Sequence, residues 1–454
     1  MDKIIKHIDE NKKRYQDELF ALVRIPSVSA DPKYKNDIRR AAEWTRDKLA
    51  SMGCTARLVE TDGHPIVYGE WLKAPGKPTV LFYGHYDVQP ADPLDLWTTP
   101  PFEPTVREGN VHARGSSDDK GQFLANILGT EAFFQTRGGP PVNVKFLIEG
   151  EEEATSTSLD KFIAANTALL KCDHIVISDT AQFAKGYPAI TYGLRGICYM
   201  EIFVRGPKMD LHSGQYGGGV ANPANALSRI ISQLHDPTTG KVTVPGFYDD
   251  VAELTPVERA EFARLPFDEA ALKARLDVTE LPGERGYTLH ERFWARPTCD
   301  VNGMKSGYQG VGAKTIIPSE ASAKISMRLV PNQRPEKVQA AFEKYIRSLC
   351  PPGVQVRLEC HGKAKPVVVP NDSPVLTKAR AALEKGFGGK SVLMREGGSI
   401  PVTETFQDKL GVAALLVGYG LPDDNLHSPN EKFSLEDFHR GIKTAAYLID
   451  ELSR

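Results

Sequence analysis

Four short apolar runs in this chain each end in residues able to bind a cation, and this pairing limits the fold more than any other feature. The runs are residues 79–83 (TVLFY), 144–148 (VKFLI), 174–177 (HIVI) and 413–417 (AALLV). They are too short for helices and lack strict alternation, as strands do when buried on both faces of a parallel sheet. Between and after the first two, residues 122–134 carry Phe123, Ile127 and Phe134 on a helical repeat, and residues 159–170 continue in the same way. Such alternation predicts βαβ units around a mostly parallel sheet, an α/β fold. In open sheets of this kind, ligands bind beyond the carboxyl ends of the strands, so polar residues that follow several runs can converge on one site.

The middle third reads differently. Residues 198–205 and 321–329 alternate like strands, while 225–234 and 335–349 have helical spacing, which suggests a compact α+β domain. Residues 236–297 are rich in charge and proline and predict an irregular excursion with short helices. The apolar αβ pattern returns from about residue 364. The expected organisation is therefore a first domain in two parts, 1–194 and 363–454, interrupted by an insertion at 195–362. A chain of 454 residues has room for two to three domains. Its first 24 residues predict an amphipathic helix that stops near Ile25 and Pro26, because the residue before proline resists helical dihedrals.

Composition removes several function classes. Lys plus Arg total 56 against 58 Asp plus Glu, a net of -2, which leaves no field to hold a polyanion or an anionic membrane face. Nucleic acid and membrane are therefore not expected as partners. No stretch of about 18 apolar residues predicts a transmembrane helix, and the charged first 24 residues lack the apolar centre of a signal peptide. Cys54, Cys172, Cys198, Cys299, Cys350 and Cys360 form no CxxC pair. They are expected as reduced thiols, consistent with a cytoplasmic location. The glycines at 217–219 and at 307, 310 and 312 lack the strand-then-helix setting of a nucleotide-binding loop.

The polar clusters are Gly84 to Asp87, Glu149 to Glu153, Ser178 with Asp179, and a loop from Gly418 to His427; Asp118 adds a carboxylate at a turn before a helix. Two divalent ions about 3.5 to 4 Å apart need imidazole and carboxylate ligands and one carboxylate that bridges them. One ion would take His85 and Asp179, the other Glu153 and His427, with Asp118 giving an oxygen to each. Asp87 is placed to accept the other ring N–H of His85. Glu152 then serves as general base, taking a proton and delivering it to a leaving amine. Zinc is the first expectation for the two ions, with manganese or cobalt also suited to such ligands. Each cluster alone has a plainer reading: a loop hydrogen bond at His85, a helix cap at Ser178–Asp179, a solvated acidic face at Glu151 to Glu153, a helix N-terminal pair at Asp118–Asp119, a loop histidine at His427.

Taken in order, HYDVQP (85–90), ARGSSDDKG (113–121), EGEEEATS (149–156), SD (178–179) and HSPNEKF (427–433) resemble the M20 metallopeptidase family. The likeness extends to ITYGLRG (190–196), DLHSG (210–214), SGYQGVGAKTIIP (306–318), RLVPNQRP (328–335) and REGGSIPVT (395–403), nearly the whole chain. These segments are similar to its cytosolic nonspecific dipeptidase and carnosinase-like branch.

The resemblance implies a phosphorylase/hydrolase-like catalytic domain and an inserted lid that dimerises. It implies the same two-ion ligand set and base, and a dipeptide substrate. It also implies that His212 is lent to the active site of a partner subunit, where its N–H steadies an oxyanion, and that Arg328 grips a substrate carboxylate through its planar fork. Thr315 stands where many relatives have asparagine, and Gly397, Gly398 and Ser399 match a loop whose backbone approaches the substrate. Two departures from the family pattern remove no ligand: Thr155 replaces a glycine, and Glu151 replaces a commonly apolar residue, adding charge expected to bear on pH dependence or metal choice. The same ions would serve an N-acyl-amino-acid amidohydrolase; an inactive metal-binding scaffold and a binding protein that closes two domains on a small molecule are the readings from other classes.

Overall fold

The computed structural model describes residues 1–454 apart from 155, 371, 372 and 399. It divides into two compact units, one of Met1–Tyr192, Val369–Met394 and Thr405–Arg454, the other of Gly193–Val368 with Arg395–Glu404.

The first unit is built on a twisted sheet whose centre is four parallel strands in the spatial order Asn143–Glu149, Thr79–His85, His174–Ile177, Ala414–Leu416. Their side chains are buried almost throughout, which is why these segments show no alternation in sequence. Antiparallel pairings extend this centre: Ile66–Trp71 and then Thr55–Val59 on one side, Ala189–Leu194 on the other. Helix Lys120–Arg137 is buried over most of its length and packs against Leu435–Leu452. It ends at Gly138, whose φ of 78° lets its N–H reach the Phe134 carbonyl.

The expected single helix over residues 1–24 is two, Asp2–Glu10 and Lys12–Val23. Asn11 interrupts it, turning its side-chain amide back to the His7 carbonyl at 2.8 Å, a local bond that competes with the helical ladder. Residues 159–170 are likewise split into Thr157–Ala165 and Thr167–Leu170 by Asn166, whose amide caps the Phe162 carbonyl.

The second unit has a four-stranded antiparallel sheet in the order Thr298–Ser306, Glu320–Leu329, Gly196–Arg205, Gln355–Ala364. Alternate residues Cys198, Met200, Ile202 and Val204 join Ile325, Met327, Phe342 and Ile346 in its core. Helices Pro223–Ile231 and Pro335–Ser348 supply the other layer. The excursion at 236–297 carries three short helices, Pro256–Ala263, Glu269–Leu276 and Leu289–Trp294. The first and third begin with capping boxes, Thr255 with Glu258 and Thr288 with Glu291.

The observed division departs from the expected return segment at 363–454 in two places. The ladder between Gln355–Ala364 and Gly196–Arg205 runs on until Ala364 faces Ile197, so the strand holds this stretch in the second unit. Residues 395–404 belong there too, because Arg395 pairs with Glu258 and the Gly397 carbonyl accepts from Arg195. Among the described residues, no helix is long and apolar enough to cross a membrane.

Candidate metal centre

Because the four central strands run parallel, their carboxyl ends open on one edge of the sheet. His85 is the last residue of its strand, and Glu149 is the last of the next, so the loop carrying Glu152 and Glu153 starts beside it. Asp179 follows Ile177 by two residues, and His427 lies in the loop beyond Leu416. Asp118 comes from the turn before Lys120–Arg137, joined to Asp119 by a cis peptide bond. Close packing sets this turn against the strand. The His85 backbone N–H donates to Asp119 Oδ2 at 3.2 Å, and a Cβ on Gly84 would lie 2.6 Å from that same oxygen.

Two groups of ligand atoms result. His85 Nε2 is 3.1 Å from Asp118 Oδ1 and 3.7 Å from Asp179 Oδ2. His427 Nε2 is 3.0 Å from Asp118 Oδ2 and 3.3 Å from Glu153 Oε2. Each triad keeps its donor atoms within 4.8 Å of one another, and Asp118 turns one oxygen to each. His85 is fully buried, whereas the His427 side chain is 55% exposed, so the cluster opens to solvent on the His427 side.

Crowded acids and imidazoles shift each other strongly. Burial works to raise the Asp118 carboxyl, but hydrogen bonds with His427 and His85 outweigh it and hold the group well below its ordinary range. Burial and the Asp118 charge push Asp179 the other way, well above its ordinary range. The bonds to Asp118 and Glu153 raise His427 to about 10. At His85, burial favours the neutral ring, and the carboxylates of Asp118, Asp87 and Asp179 overcome it. Burial also lifts Glu152 to about 7, opposed by His85 and reinforced by Glu153, Asp118 and Asp87. Carboxylates crowded in this way leave negative charge to be balanced. Two imidazoles and three carboxylates in two triads are a donor set that fits a pair of divalent cations, which would supply that balance.

Asp87 does more than expected of it. The His85 Nδ1 atom lies 3.1 Å from its backbone carbonyl and 3.4 Å from Oδ1, so the main chain is the nearer acceptor. Its carboxylate accepts the backbone N–H groups of Glu152 and Glu153 at 3.3 and 3.0 Å, which fixes the acidic loop over His85. Glu151 is turned away: its oxygens accept from the His64 N–H at 2.6 Å, and from the Ser158 N–H and hydroxyl at 3.0 Å. Its charge thus anchors the start of helix Thr157–Ala165 and contributes no ligand atom to either triad. Thr155 lies outside the described residues.

Spacing did not reveal Glu431. This buried carboxylate accepts from the backbone N–H groups of Gly115, Ser117 and Asp118 at 2.8, 2.9 and 3.1 Å, and from Arg114 Nη1 at 2.9 Å. It shapes the turn that presents Asp118, from a position more than three hundred residues away in sequence. Glu431→Ala would strand the Arg114 charge and three N–H donors in the interior. We expect it to destabilise the first unit by about 3 to 5 kcal/mol, read as an earlier urea unfolding transition; an unchanged midpoint would remove Glu431 from this role. Gln89 is another unforeseen contact, its amide reaching Glu153 Oε2 at 2.8 Å.

The remaining expected residues lie in the second unit. His212 is exposed, accepts from the Gly214 N–H at 3.0 Å and pairs through its strand with Ile316. Thr315 is next to it, its carbonyl accepting from Ser213 N–H at 3.1 Å. Arg328 stands opposite Ile197 and Thr298 in the sheet. Gly397 and Gly398 form a bend after strand Val392–Glu396; Ser399 lies outside the described residues.

Comparison with known proteins gives consistent matches. Residues 81–451 match the model of peptidase family M20/M25/M40. The chain is 36% identical over 472 residues to the Cys-Gly metallodipeptidase of Schizosaccharomyces pombe, covering 100% of this chain and 98% of that one. It is 30% identical over 476 residues to human beta-Ala-His dipeptidase, covering 100% and 93%. The crystal structure of human carnosine dipeptidase 1 superposes with a TM-score of 0.84 at 30% identity over 100% of this chain and 98% of that one. The dipeptidase Dug1p of Saccharomyces cerevisiae does so with 0.82 at 32% identity over 99% and 98%.

Proposed function

The chain belongs to peptidase family M20/M25/M40, and from that premise we propose that it is a metal-dependent dipeptidase cleaving dipeptides with a free C-terminal carboxylate. The observation that carries this reading is Asp118, whose two oxygens face two separate His and carboxylate partners. His85, Asp118 and Asp179 would hold one divalent cation, and Asp118, Glu153 and His427 the other. Such a pair supplies Lewis-acid polarisation of a carbonyl and makes water more acidic. Zinc is the cation we assign, with manganese and cobalt as the ions to compare.

The protein's own groups do the rest. Glu152, held by Asp87 through its backbone N–H, takes the proton from water and hands it to the amine that leaves. Asp87 keeps the His85 ring oriented through Nδ1. Arg328 offers two parallel donors to the terminal carboxylate, with the Gly397, Gly398 and Ser399 backbone and Thr315 completing the recognition. We read the active form as a homodimer in which His212 donates to the oxyanion in the neighbouring subunit. Six free cysteines suit the reducing cytoplasm as its location.

The test is a substrate panel. Cys-Gly, Leu-Gly and β-Ala-His should be hydrolysed in preference to N-acetyl amino acids. Preference for the acylated compounds would overturn the dipeptidase assignment in favour of an amidohydrolase.

A further inference from the structure

Arg195 joins two strands of the chain, Ala189–Leu194 and Gly196–Arg205, and it fastens three backbone carbonyls. Its own N–H donates to the Glu396 carbonyl at 3.2 Å, its Nε to Gly397 at 3.2 Å, and its Nη1 to Arg296 at 3.4 Å. The first two acceptors are the last residue of strand Val392–Glu396 and the first of the bend after it, and the third follows the last helix of the excursion.

The loop is shaped to receive the guanidinium. A Cβ on Gly397 would fall 2.6 Å from Arg195 Nη2 and 3.1 Å from the Phe293 carbonyl, so a side chain here would push the guanidinium aside and crowd that carbonyl. On the other side, Arg395 pairs with Glu258 from helix Pro256–Ala263. The excursion at 236–297 therefore holds this segment directly through Glu258, and by way of Arg195 through the Arg296 carbonyl.

Register brings Arg328 into the same neighbourhood. It faces Ile197 across the sheet, and Arg195 directly precedes Gly196, where this ladder ends opposite Leu329. Burial and the Arg328 charge both disfavour the Arg195 cation, holding its pKa down to about 10, with Asp300 in opposition. A second guanidinium kept so near the first, despite that cost, indicates a geometric duty. A planar fork can address carbonyls on separate segments, which a lysine ammonium at the end of a flexible stem does less well.

We propose that Arg195 is a positioning residue that fixes the Gly397–Gly398 backbone relative to Arg328 and so sets the affinity for the carboxylate end of the substrate. This rests on the reading, given above, that Arg328 and the loop take that carboxylate.

Steady-state kinetics of the cation-loaded full-length protein test it with Leu-Gly and leucyl-glycinamide as paired substrates. Arg195→Gln should raise KM for Leu-Gly about tenfold while kcat stays within about twofold, the pattern of lost uniform binding. Arg195→Lys should recover part of the difference, and KM for the amide should change little. Gly397→Ala, which presses a methyl group on the guanidinium, should move KM the same way and stands in if Arg195→Gln does not fold. An unchanged KM in these variants, or an equal rise for both substrates, would overturn the proposal. If the parent itself did not prefer Leu-Gly over its amide, the carboxylate reading beneath it would fall instead.

Discussion

Asp118→Asn is expected to lower dipeptide hydrolysis by at least about 10³-fold and to cut the bound divalent cations from two per chain to one or none. Changing a residue that only orients a ligand typically costs roughly 10- to 100-fold in affinity or activity. Asp118 is different, because its two oxygens face the two triads separately, at 3.1 Å from His85 Nε2 and 3.0 Å from His427 Nε2. An amide keeps one of those oxygens and turns an N–H₂ group toward the other triad, where it repels a cation. One anionic charge is also lost from the shared position, so the triad that keeps its oxygen is weakened as well. Elemental analysis after dialysis measures the cation content. Chelation of the parent, followed by return of zinc, manganese or cobalt singly, should remove and then restore activity. An Asp118→Asn protein that retains two cations and a near-parental rate would refute the two-triad assignment.

Why the residues of the two triads were legible in sequence follows from the sheet. A parallel strand is buried on both faces, so its apolar run ends abruptly where the chain leaves the sheet, and His85, Glu153 and Asp179 fall just beyond such endings. Parallel direction then guarantees that these endings share an edge. His427 was visible only as a loop residue, since its loop sets its position through contacts that no period records. Glu431 was not visible at all. Its partners are backbone N–H groups of a distant turn, and backbone donors leave no trace in residue identity. Glu151 shows the converse: beside two acids of the site, it reads as added charge there, yet its oxygens are taken up by His64 and Ser158. The extent of the inserted unit was blurred for a related reason. Residues 395–404 begin within a strand of αβ character, Val392–Glu396, and their allegiance is decided by Arg195 and by the Arg395–Glu258 pair, which are tertiary.

Glu152→Gln should separate the movement of a proton from the holding of cations. Glu152 belongs to neither triad, and its backbone is secured by Asp87 whatever the side chain carries. The substitution is nearly isosteric and removes only the ability to accept and return a proton. General acid–base catalysis contributes about 10² to 10⁴-fold, so kcat should fall by that factor, with two cations still bound and the thermal midpoint unmoved. KM should change less, since Arg328 and the glycine loop, the groups proposed to hold the carboxylate, are untouched. This outcome contrasts with Asp118→Asn, where activity and cation content fall together. A drop in cation content alongside activity in Glu152→Gln would mean that Glu152 acts as a ligand, and the neighbouring Glu153 would then be the group to test as the base. Retention of kcat within a few-fold would show that the proton reaches the leaving amine by another route, with His212 the next residue to substitute.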